Sequence, residues 1–464
     1  MEQSAEAIEG QVPVDVHDEA EHGDTLAVFG PEEGIEGGDG ARHFHYQPWL
    51  SVAAGGPLWA LAEEVFASIP APSVTPGRSL RKDATERRRL AVFSLLANLT
   101  VLALSPLRYE GLVLGLARDA TDRYSRAAFS VKVLHQATLS LELLGIVSVE
   151  HGVAHKARTR LSLSDGFKRR LSELGVSLSE IVTSSVHPGE TIQLKRRRPD
   201  GTGSELCQYS DDSRTCAFRH RMEELNASLS GADIRLDGQP IEPFHMVRIF
   251  LDDPTALPWT RHGRLYRGPL LNLKKEERYR VTIAGEAICD LDWRSSFISI
   301  CYGITGAAIP ESDPYAIPGL ESVGRDIVKQ TMSALLSRKP PTVGRKLAPF
   351  RLPVGVGPYL PDGWNGKRFL EAARAYHAPI AHLFDTADVW ALASYRESEM
   401  MLDVLEELRA TGIICIPFHD GVLCRVSHKA RVAAAMEAVS LRHLGQTIRV
   451  SEKAILRPQR LSAR

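Results

Sequence analysis

Apolar residues recur at every third or fourth position in several segments, each bounded by glycine, proline or polar residues. This spacing is typical of a helix with one apolar face. It predicts helices over residues 57–69, 91–107, 130–144, 166–176, 213–230, 321–337, 394–412 and 429–445. A further helix is predicted over residues 108–121, before a break near Asp122 and Arg123.

Residues 91–107 carry no charged side chain. They fall short of the roughly 18 apolar residues typical of a membrane span, and they include Ser, Asn and Thr. We therefore expect a buried helix there and no membrane association.

Shorter apolar runs predict strands that pair as hairpins. One hairpin comprises residues 146–150 and 159–164, and a second comprises residues 281–283 and 287–292 around Gly285. In a third, residues 413–418 and 422–426 flank an Asp-Gly pair, which is the strongest short-range signal of a tight turn. The C-terminal half thus predicts an α+β fold, in which helices cover one face of an antiparallel sheet.

A helix, a second helix and then a two-stranded ribbon follow one another between residues 81 and 185. This is the order of a winged helix-turn-helix, in which a helix enters the major groove and the wing contacts phosphate. Winged helices also serve as protein-docking domains, so this alternative stays open.

Basic side chains of the predicted wing, and a basic run before a Pro-Asp-Gly turn, are the candidate DNA-binding residues. They are Lys156, Arg158, Arg160, Lys195, Arg196, Arg197 and Arg198. The alternative for the second group is a solvated surface run.

The composition places the chain among ordinary multidomain proteins. Its 464 residues allow roughly two to four domains, and 44% hydrophobic residues allow a large core. The net charge of −1 gives no global basic signature, so any contact with nucleic acid must be local. The six cysteines show no zinc-ribbon spacing, and the acidic N-terminus is not a secretory signal. We expect a cytoplasmic protein with reduced thiols.

Two aspartates are the candidate catalytic residues. Asp292 ends a buried strand, where an unpartnered carboxylate is costly, and Asp420 lies at the tip of the last hairpin. If the two hairpins are neighbours in the sheet, the carboxylates can hold two Mg²⁺ or Mn²⁺ ions roughly 4 Å apart. The alternative for Asp420 is a turn residue without further function.

Arg325 and Lys329 are four residues apart, so they share one face of the predicted helix. An anion such as a triphosphate would stabilise two cations at this spacing. A solvated helix face is the alternative.

Taken in order, Asp292-Trp293, Arg325-x-x-x-Lys329 and His419-Asp420 resemble motifs A, B and C of family A DNA polymerases, the DNA polymerase I class. The resemblance spans residues 263–450, which are also similar to polymerase-like proteins of phages and plasmids. It implies that the two aspartates are metal ligands, that Arg325 and Lys329 bind the incoming nucleotide, and that His419 supports the primer end.

Three positions depart from the family pattern. Trp293 stands where the family has Tyr, Gly421 stands where it has Glu, and Ser337 lies near the place of a Tyr-Gly pair. The segment between Lys329 and the helix 394–412, which precedes the last hairpin, is short for complete fingers, and no proofreading exonuclease domain is recognised.

These patterns together predict five regions along the chain. They are a disordered acidic tail over 1–48, a short helix and Pro-rich linker over 49–80, a mainly helical winged-helix domain over 81–185, a connector over 186–262 that carries the helix 213–230, and a polymerase-like palm with reduced fingers over 263–464.

The resemblance implies a template-directed DNA polymerase that uses two divalent ions, deoxynucleoside triphosphates and DNA in the replication of a mobile element. A non-catalytic winged-helix regulator or replication initiator, with an inert palm-like domain, is the alternative. Nuclease chemistry is a third possibility, because the same ions hydrolyse phosphodiesters. The sequence predicts no oligomeric state.

Overall fold

The computed structural model describes residues 42–70, 82–115, 123–124, 128–152, 158–198, 203–254, 256–271, 273–338, 347–418 and 420–455. These residues form two compact units, one of residues 42–309 with 391–455 and the other of residues 310–390. Lys156 and His419 lie outside the described residues.

The N-terminal part of the larger unit combines helices with short strands. Its elements are β1 (His43–His45), β2 (Leu50–Val52), α1 (Pro57–Ser68), α2 (Lys82–Leu104), β3 (Gly111–Leu114), α3 (Val131–Leu143), β4 (Val147–Glu150), β5 (Thr159–Leu163), α4 (Asp165–Glu173) and β6 (Ile181–Thr183). One sheet has the order β1-β3-β5-β4, and β2 pairs with β6. Residues 43–48 fall within the tail predicted over residues 1–48, but here β1 pairs with β3 and Phe44 is buried, so these residues are part of the fold.

Helix α2 confirms that residues 91–107 contribute a buried helix. Its polar side chains are satisfied locally: Asn98 accepts a hydrogen bond from the Gln47 amide at 2.7 Å and donates to the Ser94 carbonyl at 2.8 Å. Across the described residues, no helix combines the length and the apolar character that crossing a membrane requires.

Strand β3 corrects the helix that was expected over residues 108–121. Leu112 and Val113 pair with β5, and Leu112 is fully buried. A short apolar run is compatible with a helix or with a strand. Its pairing with β1 and β5 makes this segment a strand. Helix α3, which Ser130 caps, confirms the helix predicted over residues 130–144. The β4–β5 hairpin confirms the hairpin predicted over residues 146–150 and 159–164. Residues 116–122 lie outside the described residues, so the winged helix stays a prediction.

The middle of the larger unit carries a second sheet and one long helix. Its elements are β7 (Ile192–Arg197), β8 (Ser204–Leu206), α5 (Ser213–Ser230), β9 (Ile234–Leu236), β10 (Gln239–Pro240), β11 (Val247–Leu251) and β12 (His262–Tyr266). The sheet has the order β12-β11-β7-β8. Helix α5 has the bounds that the sequence predicts, because Asp212 accepts a hydrogen bond from the Thr215 amide and caps its first turn.

The remaining elements alternate strands and helices. They are β13 (Val281–Ile283), β14 (Glu286–Trp293), α6 (Ser296–Thr305), α7 (Arg325–Leu336), α8 (Gly366–Tyr376), α9 (Val389–Ala410), β15 (Cys415–Phe418), β16 (Gly421–Arg425), α10 (Lys429–Leu444) and β17 (Val450–Lys453). Helices α7 and α8 belong to the smaller unit. The predicted helices 321–337, 394–412 and 429–445 and both predicted hairpins are confirmed.

Strand β14 lies inside a seven-stranded sheet of order β10-β9-β13-β14-β16-β15, and β17 also pairs with β14. Pairing is antiparallel throughout this sheet, so the α+β expectation of an antiparallel sheet with helices is confirmed. Successive side chains of β14 point to opposite faces. Trp293 donates from its indole nitrogen to the Met436 carbonyl of α10 at 3.2 Å, so that face is covered. Asp290 and Asp292 lie on the other face.

Candidate active site

The antiparallel register of β14 and β16 brings the two predicted catalytic aspartates together. Asp292 is directly opposite Gly421, and the Trp293 amide donates to the Asp420 carbonyl at 3.4 Å. The carboxyl groups of Asp292 and Asp420 are close enough to interact through a side-chain hydrogen bond when one of them is protonated. The expected meeting of the two hairpins therefore occurs.

The tight turn differs from the one that the sequence indicates. Phe418 pairs with Gly421, so the two residues between the strands are His419 and Asp420, and Gly421 already belongs to β16. Asp420 is therefore a turn residue, as the alternative requires, and it is also the neighbour of Asp292. These two interpretations do not exclude each other.

The surroundings of Asp292 disfavour its negative charge. It is 9% exposed, and burial together with the charge of Asp420 raises its pKa well above the ordinary value, against the opposing effect of Lys453. Its Oδ2 accepts a hydrogen bond from the Lys453 ammonium at 2.8 Å. Its Oδ1 is buried and has no hydrogen-bond donor among the described residues.

Lys453 comes from β17, the last strand of the described chain. Burial disfavours its charge, but Asp420 and Asp292 outweigh that effect and raise its pKa above the ordinary value. The ammonium group therefore stays protonated beside the two aspartates. Lys453 is not predicted from the sequence, because a lysine in a short strand carries no distinguishing pattern.

A third carboxylate, Glu397 of α9, lies next to this pair and is fully buried. It accepts a hydrogen bond from Arg264 of β12 at 2.8 Å and another from the Ser296 hydroxyl of α6. Burial raises the pKa of Glu397, Arg264 lowers it, and the charge of Asp420 raises it further. The negative charge of Asp420 also raises the pKa of Arg264, so Arg264 interacts with both Glu397 and Asp420.

Sequence reasoning missed Arg264 and Glu397, although a signal was available. Helix α9 has fully buried Ser394 and Glu397 and nearly buried Ser398 at positions where a core-facing helix is normally apolar. Arg264 likewise lies in a strand whose residues are all buried. Polar residues at core-facing positions indicate a network of paired groups.

The oxygen ligands and the charge of this cluster fit a divalent cation. Hard cations such as Mg²⁺ and Mn²⁺ prefer carboxylate oxygens, and Asp292 Oδ1 is a buried oxygen without a donor, beside the carboxylate of Asp420. Among the described residues, no group of three or more His, Cys, Asp or Glu side chains is arranged around one ion. The candidate ligands are therefore the carboxylates of Asp292 and Asp420.

Arg325 and Lys329 lie on α7 of the smaller unit, on one face of the helix as their spacing predicts. The Arg325 guanidinium donates to Asp313 Oδ2 at 2.7 Å and lies over the Tyr315 ring at 4.8 Å. Both side chains of the ion pair are partly exposed. Nucleotide binding by Arg325 and Lys329 stays a prediction.

Two candidate DNA-binding residues lie at and near the β4–β5 hairpin. Arg158 precedes β5 and interacts with His45 at 3.4 Å, and Arg160 pairs with Glu150 at 3.9 Å across the hairpin. Arg158 is exposed. The side chains are therefore accessible from solvent on this hairpin.

The basic run from Lys195 to Arg198 continues along strand β7 instead of forming the loop that its turn residues suggest. Arg196 pairs with Asp252, while Lys195 and Arg197 are half-buried. Successive side chains of a strand point to opposite faces, so the run does not form one continuous patch. Its DNA-binding role stays a prediction.

No protein-family model and no curated protein matches the chain. Among solved structures, it is similar to the POL domain of Pol1 from M. smegmatis in complex with DNA primer-template and dNTP. The identity is 13%, the TM-score is 0.29, and the match covers 52% of this chain and 50% of that chain, so this protein matches about half the length of that domain. A TM-score of this size does not define a shared fold, and the assignment of function rests on the site itself.

Proposed function

We propose that this protein catalyses metal-dependent nucleotidyl transfer and extends a DNA primer as a polymerase-like enzyme. The observation that carries the proposal is the pairing of Asp292 and Asp420 at the ends of adjacent strands, with Asp292 Oδ1 lacking a donor among the described residues. The resemblance of the same two residues to motifs A and C of family A DNA polymerases supports it.

Asp292 and Asp420 would hold Mg²⁺ or Mn²⁺, which supplies stabilisation of the negative charge that develops on the transferred phosphoryl group. The chain's own residues prepare this site. Arg264 and Lys453 counter the repulsion between the carboxylates, and Glu397 fixes the orientation of Arg264 through a hydrogen bond of 2.8 Å. The hydrogen bonds of Lys453 to Asp292 and of Arg264 to Glu397 would hold these groups in place before the substrate binds.

The substrates that we propose are deoxynucleoside triphosphates and a primer-template. Arg325 and Lys329 would bind the triphosphate, since guanidinium and ammonium groups on one helix face suit phosphate. His419 would support the primer end, and the basic residues of the β4–β5 hairpin would bind duplex phosphates. The polymerase-like palm, the winged helix and the replication of a mobile element belong to this proposal.

A second function is favoured by one observation. Lys453 already satisfies Asp292 Oδ2 at 2.8 Å, as in a structural ion pair that has no catalytic role. On this alternative, the protein is a DNA-binding regulator or replication initiator, and the aspartate pair is inert.

A primer-extension assay separates these functions. With Mg²⁺ or Mn²⁺, a primed template and dNTPs, we expect extension by the wild-type protein and a loss of at least about a hundredfold in Asp292→Asn and Asp420→Asn. Asn preserves the side-chain shape and removes the charge. Asp237→Asn is the matched control, because Asp237 is exposed and its φ of 51° suits Asn.

Extension that survives both aspartate substitutions contradicts the proposal. Tight binding to DNA without extension, and without any effect of metal on thermal stability, supports the inert alternative. Cleavage of labelled DNA with metal and without dNTPs identifies a nuclease.

A further inference from the structure

We propose that the ammonium group of Lys453 takes the place of one of the two cations, so that the Asp292–Asp420 pair binds a single divalent ion. This inference rests on the proposed function and revises the number of ions that the sequence implies. It assigns Lys453 as a residue that sets the charge and the metal stoichiometry of the site.

The sheet register directs Lys453 toward Asp292. Lys453 is directly opposite Asp290 on the antiparallel strand, and Asp292 is two residues further along β14. Directly opposite and diagonal neighbours share one face of a sheet, and a long side chain spans the diagonal. The ammonium nitrogen reaches Asp292 Oδ2 at 2.8 Å. Asp290 is occupied by Arg278 at 2.6 Å and leaves the ammonium to Asp292.

The occupied oxygen limits how many ions can bind. In a two-metal site the ions lie about 3.5–4 Å apart, and a carboxylate with both oxygens available can bind one ion through each. Lys453 holds Oδ2 of Asp292, and only Oδ1 lacks a donor among the described residues. Among the described residues, no third carboxylate completes a group with this pair that could surround one ion. One ion, bound between Asp292 Oδ1 and the carboxylate of Asp420, would use the oxygens that Lys453 leaves available.

The charge of the cluster leads to the same number. By formal charge, Asp292, Asp420 and Glu397 are three carboxylates and Arg264 and Lys453 are two cationic side chains, which gives the cluster −1. One divalent ion changes this to +1, and two would give +3 before any phosphate binds. The ammonium therefore supplies the positive charge that a second ion would otherwise bring.

A different lysine, at the start of helix α10, provides the comparison. Lys429 of α10 pairs with Glu452, the neighbour of Lys453 in β17, and both side chains are about half exposed. Because adjacent residues of a strand point to opposite faces, this pair lies away from Asp292. Replacing Lys429 removes an ion-paired lysine that contacts β17 and leaves the aspartate pair unchanged.

The test counts Mn²⁺ ions by electron paramagnetic resonance and isothermal titration calorimetry, with the full chain and without nucleotide. The number at the site is the difference between each protein and the same protein carrying Asp292→Asn and Asp420→Asn. We expect one ion in the wild type, in Lys453→Arg and in Lys429→Met. We expect Lys453→Met to bind two ions, the first about tenfold more tightly, because a neighbouring positive charge is gone and Oδ2 is released.

Two ions in the wild type overturn the inference and leave the proposed function intact. The inference is also overturned if Lys453→Met binds the same number of ions as the wild type with the same affinity. If no protein shows an ion that depends on Asp292 and Asp420, the proposed function fails as well. The wild-type count decides even if Lys453→Met does not fold, and Lys453→Gln gives a second neutral variant.

Discussion

A Cβ atom at position 421 would lie 2.8 Å from the carbonyl oxygen of Leu291 and 3.6 Å from Cβ of Asp292. Gly421 is therefore selected by the close approach of β16 to β14, and not by a turn conformation that needs a positive φ. A side chain of any length at this position would meet the same contact. A glutamate there would have to displace the backbone that positions Asp292.

Gly421→Ala tests this contact. We expect the free energy of unfolding to fall by about 1–3 kcal/mol, because the added methyl group overpacks a buried strand pair. Urea unfolding followed by tryptophan fluorescence measures it. Gly166→Ala in α4 is the control: a Cβ there meets no atom within 4 Å, so its stability should be unchanged or slightly increased. Equal midpoints for Gly421→Ala and the wild type would contradict the steric argument.

At the scale of elements, Arg325 of the basic pair on α7 already has a carboxylate partner. Asp313 accepts hydrogen bonds from the Arg325 guanidinium at 2.7 and 3.2 Å and from the Tyr315 amide at 3.1 Å. The Asp313 carboxylate and the phosphates of a nucleotide would compete for the same guanidinium. Both groups are oxyanions whose oxygens suit its fork of donors.

Asp313→Asn removes this competitor and retains an oxygen that accepts from the Tyr315 amide. We expect the dissociation constant for a fluorescent dNTP, measured by anisotropy, to fall about two- to fivefold, the range of a partly exposed ion pair. Arg325→Gln should weaken binding.

Asp385→Asn is the matched control in the same unit, because Asp385 forms a partly exposed ion pair with Arg374. Its dNTP affinity should equal that of the wild type. Unchanged affinity in both Asp313→Asn and Arg325→Gln would show that α7 does not bind the triphosphate.

At the scale of the whole molecule, the net charge of −1 provides no general attraction for DNA, so binding must come from local basic residues. Arg158 and Arg160 at the β4–β5 hairpin are partly or fully exposed, and the aspartate pair lies on a different sheet. The proposed DNA-binding and catalytic residues therefore lie on different sheets and can be replaced separately.

The double variant Arg158→Ala/Arg160→Ala should weaken DNA binding at all sequences. If each arginine neutralises one phosphate, the slope of log affinity against log salt falls by about 2. Filter binding at several salt concentrations measures this slope.

Lys168→Ala is the control for the loss of a surface charge, since Lys168 pairs with Asp165 on α4. Asp292→Asn should bind DNA as the wild type does. An unchanged slope in the double variant would exclude the hairpin as the DNA-binding element.

The sequence determined the elements whose signals are local. Helix α5 follows from its Asp212 cap and apolar spacing, and the strands around Gly285 follow from alternation and a turn residue. It also indicated Asp292, since a carboxylate that ends a buried strand requires a partner, and Asp420 at the tip of the last hairpin, through the resemblance to motif C.

Only the tertiary structure decided the features that depend on which strands pair. The partners of β3 made it a strand, the register of β14 with β16 selected Gly421, and β17 brought Lys453 to Asp292. Arg264 and Glu397 met in the same way, from elements far apart in the chain. Periodicity fixes the face on which a side chain lies, whereas register between distant segments fixes what that face contacts, and no local pattern contains the register.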